Sequence, residues 1–172
     1  MPSPSKAKGN SWELEIAKFL SSLYNESFIR APGSGAYVGG INAGRKLVLH
    51  EAQIRNFKGD IVPGPSFPKL NIEAKNYGEF PFHQLFADTP VKKLEEWLGQ
   101  LLVAADENDF SLLLLKVTHK GKFVLSHEKY KSQLQLPHNS LRYLSPAHGP
   151  WQFSNFDVFW QTNHLTVKNL CS

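Results

Sequence analysis

The residues best suited to chemistry lie in two short apolar segments of the sequence. Asp60 opens the first, and Glu73 and Lys75 lie in the second, Leu70–Lys75. Because successive strand side chains point to opposite faces, Glu73 and Lys75 would share a face. The connector at 63–68 is rich in proline and predicts a turn, so the segments would form a hairpin with Asp60 beside Glu73. Two carboxylates and an ammonium at one point suit a hard cation and an activated water.

The apolar setting of these charges separates a functional site from an ordinary ion pair. A bare Glu-x-Lys pair is more often an exposed salt bridge of little energetic value. Charged side chains are rarely buried without a partner or a metal. The flanking residues that predict burial here are Ile61, Val62, Leu70 and Ile72.

Length, composition and charge limit the classes of protein to which this chain can belong. A chain of 172 residues with 41% hydrophobic residues predicts a single globular domain. The single cysteine, Cys171, excludes an internal disulfide framework and a cysteine-based zinc site, and it favours a reducing compartment. No apolar run approaches the roughly 18 residues that a membrane span needs. The formal charge of +4 and the pI of about 9.1 favour a polyanionic partner.

The N-terminal segment predicts an amphipathic helix after a frayed lead-in at residues 1–9. Asn10 or Ser11 could cap it. Glu13 and Glu15 would lie on opposite flanks of the buried stripe, and either could reach into a cleft. The apolar stripe consists of Trp12, Ile16, Phe19, Leu20 and Leu23.

The segment that precedes Asp60 predicts contacts to an anion. Residues 26–30 read as a strand, and the Gly-Ser-Gly turn that follows, with Arg30 and Ser34, could hold a phosphate. Residues 36–59 predict a long basic loop, of a kind that often contacts substrate. The basic residues expected to contact the partner there are Arg45, Lys46, Arg55 and Lys58.

The rest of the chain predicts further α and β elements. A helix is expected from about residue 89 to 105, with Val91, Leu94, Leu98, Leu101, Leu102 and Ala105 as its stripe. Phe110–Val117 predicts a strand buried on both faces, followed by a hairpin and a strand at 123–125. A short helix is expected within 127–136. The aromatic stretch 137–172 is expected to form short strands or a loop that packs on the core or on a twin subunit.

Four motifs together resemble a known family. They are Lys8-Gly9-Asn10-Ser11-Trp12-Glu13, Ile29-Arg30-Ala31-Pro32-Gly33-Ser34-Gly35, Asp60-Ile61-Val62 and Ile72-Glu73-Ala74-Lys75. The pattern is similar to the archaeal-type Holliday junction resolvases, within the PD-(D/E)XK nuclease superfamily. The resemblance implies a restriction-endonuclease-like α/β fold, in which a central mixed β-sheet is flanked by helices (αβββαβ core), with an aromatic-rich C-terminal extension.

The resemblance also implies roles for individual residues. Asp60 and Glu73 would bind Mg²⁺, for which Mn²⁺ could substitute, with the Ala74 carbonyl as a further ligand. Lys75 would orient or deprotonate the attacking water. Glu13 would complete the acidic cluster, directly or through water. The implied DNA contacts are Arg30 and Ser34 at the scissile phosphate and Lys8 on the backbone.

The sequence departs from the family pattern at two places, so the resemblance does not decide between branched and linear DNA as the substrate. About two dozen residues separate Gly35 from Asp60, more than in the family, and Leu14 follows Glu13 where an arginine is expected. The expected function is a Mg²⁺-dependent DNA endonuclease selective for branched DNA. The alternatives are a site-specific endonuclease of the restriction or homing type, and a non-catalytic DNA-binding module on the same fold.

The expected organisation is one nuclease domain over residues 1–172, with a catalytic core at about 8–126 and an extension at about 137–172. We expect a homodimer or higher homo-oligomer, with no membrane association. The family also implies a cytoplasmic protein of bacterial, archaeal or phage origin.

Overall fold

The computed structural model describes residues 4–31, 58–87 and 89–172, with side chains from residue 9 onward. Its helices are α1 (Pro4–Tyr24), α2 (Lys92–Ala104) and α3 (Phe156–Cys171). Its strands are β1 (Ile29–Arg30), β2 (Ile61–Val62), β3 (Leu70–Tyr77), β4 (Phe110–Val117), β5 (Gly121–His127), β6 (Leu141–Ser145) and β7 (Gly149–Asn155). Short 3₁₀ turns span Phe82–Phe86 and Glu128–Tyr130.

A five-stranded mixed sheet forms the centre, in the order β3-β4-β5-β7-β6. β3 and β4 are parallel, and the other neighbours are antiparallel. The connection between the two parallel strands contains α2, as such crossovers usually require. The predicted strand Phe110–Val117 is confirmed residue for residue, because its apolar run is buried on both faces. The predicted α/β class with a helix-flanked mixed sheet is therefore confirmed.

Helices cover both faces of this sheet. On one face α1 and α3 pack against alternate strand residues such as Ile72 and Leu114. On the other face α2 packs against Leu113, Leu115 and Trp151. The period of two along each strand thus divides the interior into two cores.

Helix α1 begins earlier than the sequence predicted. It begins at Pro4, so Asn10 lies inside the helix and the predicted cap there is wrong. The amide oxygen of Asn10 instead accepts a hydrogen bond from Arg30. The predicted stripe is right in register, since Trp12 and Ile16 are buried and the Trp12 indole N–H donates to the Leu114 carbonyl at 3.0 Å.

The predicted hairpin between the Asp60 and Glu73 segments forms only in part. β2 pairs with β1 in a separate two-stranded sheet, in the register Arg30↔Ile61. A single described backbone bond ties it to β3, from the Asp60 N–H to the Ile72 carbonyl at 2.8 Å. Pro63 has no N–H to donate, so a longer ladder cannot follow β2. The two segments are nevertheless neighbours, as the site requires.

Gly59 makes this close approach possible. Its φ of +67° is in the left-handed region, and a Cβ there would lie 2.5 Å from the Ile72 carbonyl oxygen. We expect Gly59→Ala to lower the free energy of unfolding by about 2–4 kcal/mol, from strained backbone and the clash together. Urea denaturation measures this. Gly78→Ala is the control, because nothing lies within 4 Å of that position. Equal stability of the two variants would contradict the prediction.

The C-terminal third agrees with expectation in part, because it contains the short strands β6 and β7 on the core, but it also contains a long helix. Residues 156–171 form a helix of 16 residues, which the sequence analysis missed. Asn155 caps it by accepting from the Val158 N–H at 3.1 Å. β6 and β7 complete the central sheet, so this third belongs to the core. The helix expected within 127–136 is only the 3₁₀ turn Glu128–Tyr130.

The predicted helix α2 is confirmed, but its buried face differs from the predicted apolar stripe. It begins at Lys92, later than expected, and Trp97 and Ala104 are buried in its interface. Leu102, placed in the stripe by the sequence, is 36% exposed. Among the described residues, no helix is long and apolar enough to cross a membrane.

Candidate active site at the edge of strand β3

Five charged side chains from four elements meet at the free edge of β3. We call them the site cluster: Glu13 of α1, Arg30 of β1, Asp60 before β2, and Glu73 and Lys75 of β3. β3 is an edge strand, so its outward backbone groups are open to the segment that carries Asp60.

Asp60 is fixed against this edge by main-chain hydrogen bonds. Its carboxylate Oδ2 accepts from the Ala74 N–H at 2.7 Å, and its own C=O accepts from the Ala31 N–H at 2.9 Å. The N–H and C=O of one strand residue point to the same edge. The Ala74 carbonyl therefore faces the side on which the Asp60 carboxylate lies.

Glu73 and Lys75 share a face, as the strand period predicted. The Lys75 ammonium donates to Glu73 Oε1 at 2.6 Å. The intervening Ala74 side chain lies in the opposite core, with α1 and α3. Glu73 is buried, whereas about a fifth of the Lys75 side chain is exposed. The ammonium is thus the part of the pair that can reach a solvent-side ligand.

The structure distinguishes Glu13 from Glu15, which periodicity could not. Glu13 is buried and ion-paired with Arg30 inside the cluster. Glu15 lies on the other flank of α1, where it binds Lys116 and Lys122. Arg30, the expected phosphate contact, is bound to Glu13 and Asn10 and is partly exposed.

Both glutamates of the cluster have a raised pKa. Burial and, to a smaller extent, the charge of Asp60 raise the pKa of Glu73 to about 7, against the opposing effect of Lys75. Burial also raises the pKa of Glu13, which the hydrogen bond from Arg30 partly offsets. Charge interactions of both groups with Asp60 show that all three carboxyls act on one another. A cation among them would relieve this repulsion.

The donor set suits a hard cation that retains waters. Within residues 4–31, 58–87 and 89–172, no group of three or more His, Cys, Asp or Glu residues is arranged so that it could hold a metal ion by itself. Asp60 and Glu73 with the Ala74 carbonyl offer oxygens alone, which is what Mg²⁺ takes when it keeps several waters. Glu13 is engaged with Arg30 and would act from outside this set.

Gln100 is a site residue that the sequence analysis did not single out. It lies on α2, and its Oε1 accepts from the Lys75 ammonium at 2.8 Å. Lys75 is therefore held between two oxygens, one from Glu73 and one from Gln100. The sequence placed Gln100 on a helix, but no motif linked that helix to β3.

Gln100→Ala is expected to lower kcat about ten- to a hundredfold with little change in KM, because Lys75 loses one of its two orienting acceptors. Gln100→Glu should move the pH profile of kcat to higher pH if Lys75 deprotonates the water, since a carboxylate there stabilises the ammonium. Steady-state kinetics across pH measure both effects. Equal kcat in all three proteins would exclude Gln100 as a positioning residue.

The other expected DNA contacts divide into two groups. The side chain of Lys8, and Ser34, Arg45, Lys46 and Arg55, lie outside the described residues. Lys58 is described, and it requires a correction. Its side chain is only 6% exposed, and its ammonium is ion-paired with Asp109 and with Asp106. A buried, paired ammonium cannot reach DNA, so Lys58 anchors the segment before Asp60 instead.

Comparison with known proteins adds one finding. A family model described as "Phage putative PDDEXK endonuclease" matches residues 4–147. This span contains the whole site cluster and α2, and it ends before β7 and α3. No curated protein and no solved structure matches the chain.

Proposed function

The chain belongs to the phage PDDEXK endonuclease family, and we propose that it is a metal-dependent DNA endonuclease whose chemistry takes place at the site cluster. The observation that carries this proposal is the position of Asp60. Its carboxylate is fixed on the Ala74 N–H, directly beside the Glu73–Lys75 pair. The acid and the acid–base couple expected from the sequence therefore share one edge of β3.

The proposed cofactor is Mg²⁺, with Mn²⁺ as a substitute. Asp60, Glu73 and the Ala74 carbonyl would hold it, and Glu13 would contribute through water. When bound, such a cation neutralises charge on the phosphate and makes a water more acidic. The raised pKa of Glu73 supports a cation here, because burial first and the charge of Asp60 second disfavour its carboxylate, and a cation would offset both.

The remaining side chains would position the reactants. Lys75 would orient the attacking water or take its proton, since its ammonium lies on the partly exposed side of Glu73. Arg30 is fixed on Glu13 and Asn10 with 29% of its side chain exposed, and it would bind a phosphate oxygen through a remaining N–H. Holding both groups in place before substrate arrives reduces the reorganisation that the reaction requires.

We further propose that branched DNA is the preferred substrate and that the active form is a homodimer. Both follow from the resemblance of the four motifs to junction resolvases, and a symmetric dimer would place two cutting sites on one junction. Site-specific cleavage of linear DNA is the alternative, with base readout from the inserted segment 36–59. A non-catalytic binder is disfavoured, because buried carboxyls beside a phosphate repel it without a cation.

The test is a cleavage assay on four-way, forked and linear DNA of several sequences, with Mg²⁺, with Mn²⁺ and with EDTA. We expect cleavage with either metal, none with EDTA, and preference for the four-way substrate. A fixed cut in linear DNA would favour the site-specific alternative. If the protein binds DNA but cleaves it under none of the metal conditions, both endonuclease functions are rejected and the non-catalytic DNA-binding module remains. Sedimentation of the protein with and without DNA tests the dimer.

A further inference from the structure

A second basic feature lies at the turn between β4 and β5. A cleft of about 360 Å³ there is lined by Lys116, Lys122, His119, Thr118 and Asn76, and its described lining contains no acidic residue. We propose that this feature, the turn cleft, binds the sugar–phosphate backbone of the DNA beside the cleaved bond. This inference rests on the proposed function for its substrate.

The turn cleft lies next to the site cluster along the sheet. Asn76 follows Lys75 on β3, and Lys116 is its register partner on β4. Lys122 is in turn the register partner of Lys116 on β5. Neighbouring strands are about 4.8 Å apart, and a DNA strand has one phosphate per 3.4 Å of axis. Side chains alternate along β3, so Asn76 lies on the α1 face of the sheet and Lys75 on the α2 face. A DNA strand that leaves the site therefore reaches the turn cleft by passing around the end of β3 onto the α1 face.

The two lysines of the turn cleft are held in place before any ligand arrives. Both ammoniums bind Glu15, at 2.6 and 2.7 Å. Both also lie over the buried Trp12 ring, at 5.2 and 5.7 Å from its centroid. About a third of each lysine side chain remains exposed. Two cations share one carboxylate, so the group keeps excess positive charge and spare N–H donors for an anion.

Charge distinguishes the turn cleft from a second cleft of the described structure. That second cleft, of about 240 Å³, lies at the opposite end of β4 and β5, and its lining contains three carboxylates, Asp106, Glu107 and Asp109, besides Lys129 and His127. Lys58 pairs with two of these carboxylates. Carboxylates on its wall repel phosphate. Of the two clefts, the turn cleft is therefore the more favourable for an anion, since its described lining has two lysines and no carboxylate.

A purely structural role is the competing explanation. Lys116 and Lys122 could serve only to clamp α1 onto the sheet through Glu15 and Trp12. The two explanations predict opposite behaviour for Glu15→Gln. Removing the shared carboxylate breaks the clamp, yet it frees both ammoniums for phosphate.

The experiment measures binding of labelled duplex and four-way DNA by the full chain, in EDTA and over a range of salt, for Lys116→Gln, Lys122→Gln and Glu15→Gln. We expect each lysine variant to bind roughly three- to tenfold more weakly and to lower the salt slope by about one. Glu15→Gln should bind as tightly as the wild type or more tightly. Lys131→Gln is the control, because this exposed lysine pairs with Glu128 at the opposite end of the sheet.

Three outcomes would overturn the turn cleft as a DNA site: unchanged binding by both lysine variants, equal weakening by Glu15→Gln, or no binding by the wild type. Thermal melting of each variant accompanies the titration, so a folding defect is read separately. Cleavage of the same DNA with Mg²⁺ is scored in parallel. Binding that depends on Lys116 and Lys122 in a protein that never cleaves would reject the proposed function and retain the cleft. Cleavage by a protein whose DNA binding does not depend on Lys116 and Lys122 would reject the turn cleft and retain the proposed function.

Discussion

Glu73→Gln is expected to reduce DNA cleavage with Mg²⁺ by about a thousandfold or more. The substitution keeps the size of the side chain and removes one anionic oxygen donor from the proposed metal set. Stabilisation of transition-state charge by a metal amounts to several kcal/mol, and each 1.4 kcal/mol corresponds to a tenfold change in rate. Single-turnover cleavage of a labelled four-way junction measures the loss.

Matched variants separate this effect from a general change in charge. Asp60→Asn should cause a comparable loss, and Lys75→Met should reduce the rate by about a hundred- to ten-thousandfold, as expected for a group that moves a proton. Glu128→Gln is the control, because Glu128 pairs with Arg142 on β6, at the opposite edge of the central sheet from β3. Wild-type cleavage by either Glu73→Gln or Lys75→Met would remove that residue from the mechanism.

The same Glu73→Gln substitution is expected to stabilise the metal-free protein. The pKa of Glu73 is raised from 4.5 in an ordinary chain to about 7 in the folded state, chiefly by burial. Below pH 4.5 the Glu73 carboxyl is protonated in both the folded and the unfolded state, so it does not lower the free energy of unfolding. As the pH rises from 4.5 to 7, the unfolded chain releases its proton first, and the free energy of unfolding falls. Above pH 7 the full cost remains, about 2–3 kcal/mol.

Denaturant unfolding in EDTA from pH 4 to pH 8 tests this prediction. Glu73→Gln should be more stable than the wild type at pH 8, and the difference should disappear near pH 4. Mg²⁺ should raise the stability of the wild type more than that of the variant, because only the wild type keeps the charged donor. Glu96→Gln is the control, since Glu96 is exposed and pairs with Lys93 on the surface of α2. If the variant were less stable than the wild type at pH 8, this would contradict the prediction that the ionised Glu73 carboxylate destabilises the metal-free protein.

Much of the core followed from local patterns in the sequence. The strand Phe110–Val117 was predictable because a short apolar run bounded by turns has apolar side chains on both faces, and these are buried only between two packed layers. The stripe of α1 was predictable from its 3.6-residue period, although the start of the helix was not. Helix α3 was missed because aromatic residues are so dense there that polar and apolar positions do not alternate clearly.

The sequence by itself determined the chemical groups of the candidate site and the face that Glu73 shares with Lys75, because strand alternation is a local property. Only the tertiary structure decided which groups meet. It assigned Glu13 to the site cluster and Glu15 to Lys116 and Lys122, buried Lys58 against Asp109, and brought Gln100 from α2 to Lys75. These partners lie between 17 positions apart, for Glu13 and Arg30, and 107 positions apart, for Glu15 and Lys122. Contacts at such separations depend on the packing of helices against the sheet, which no local pattern specifies.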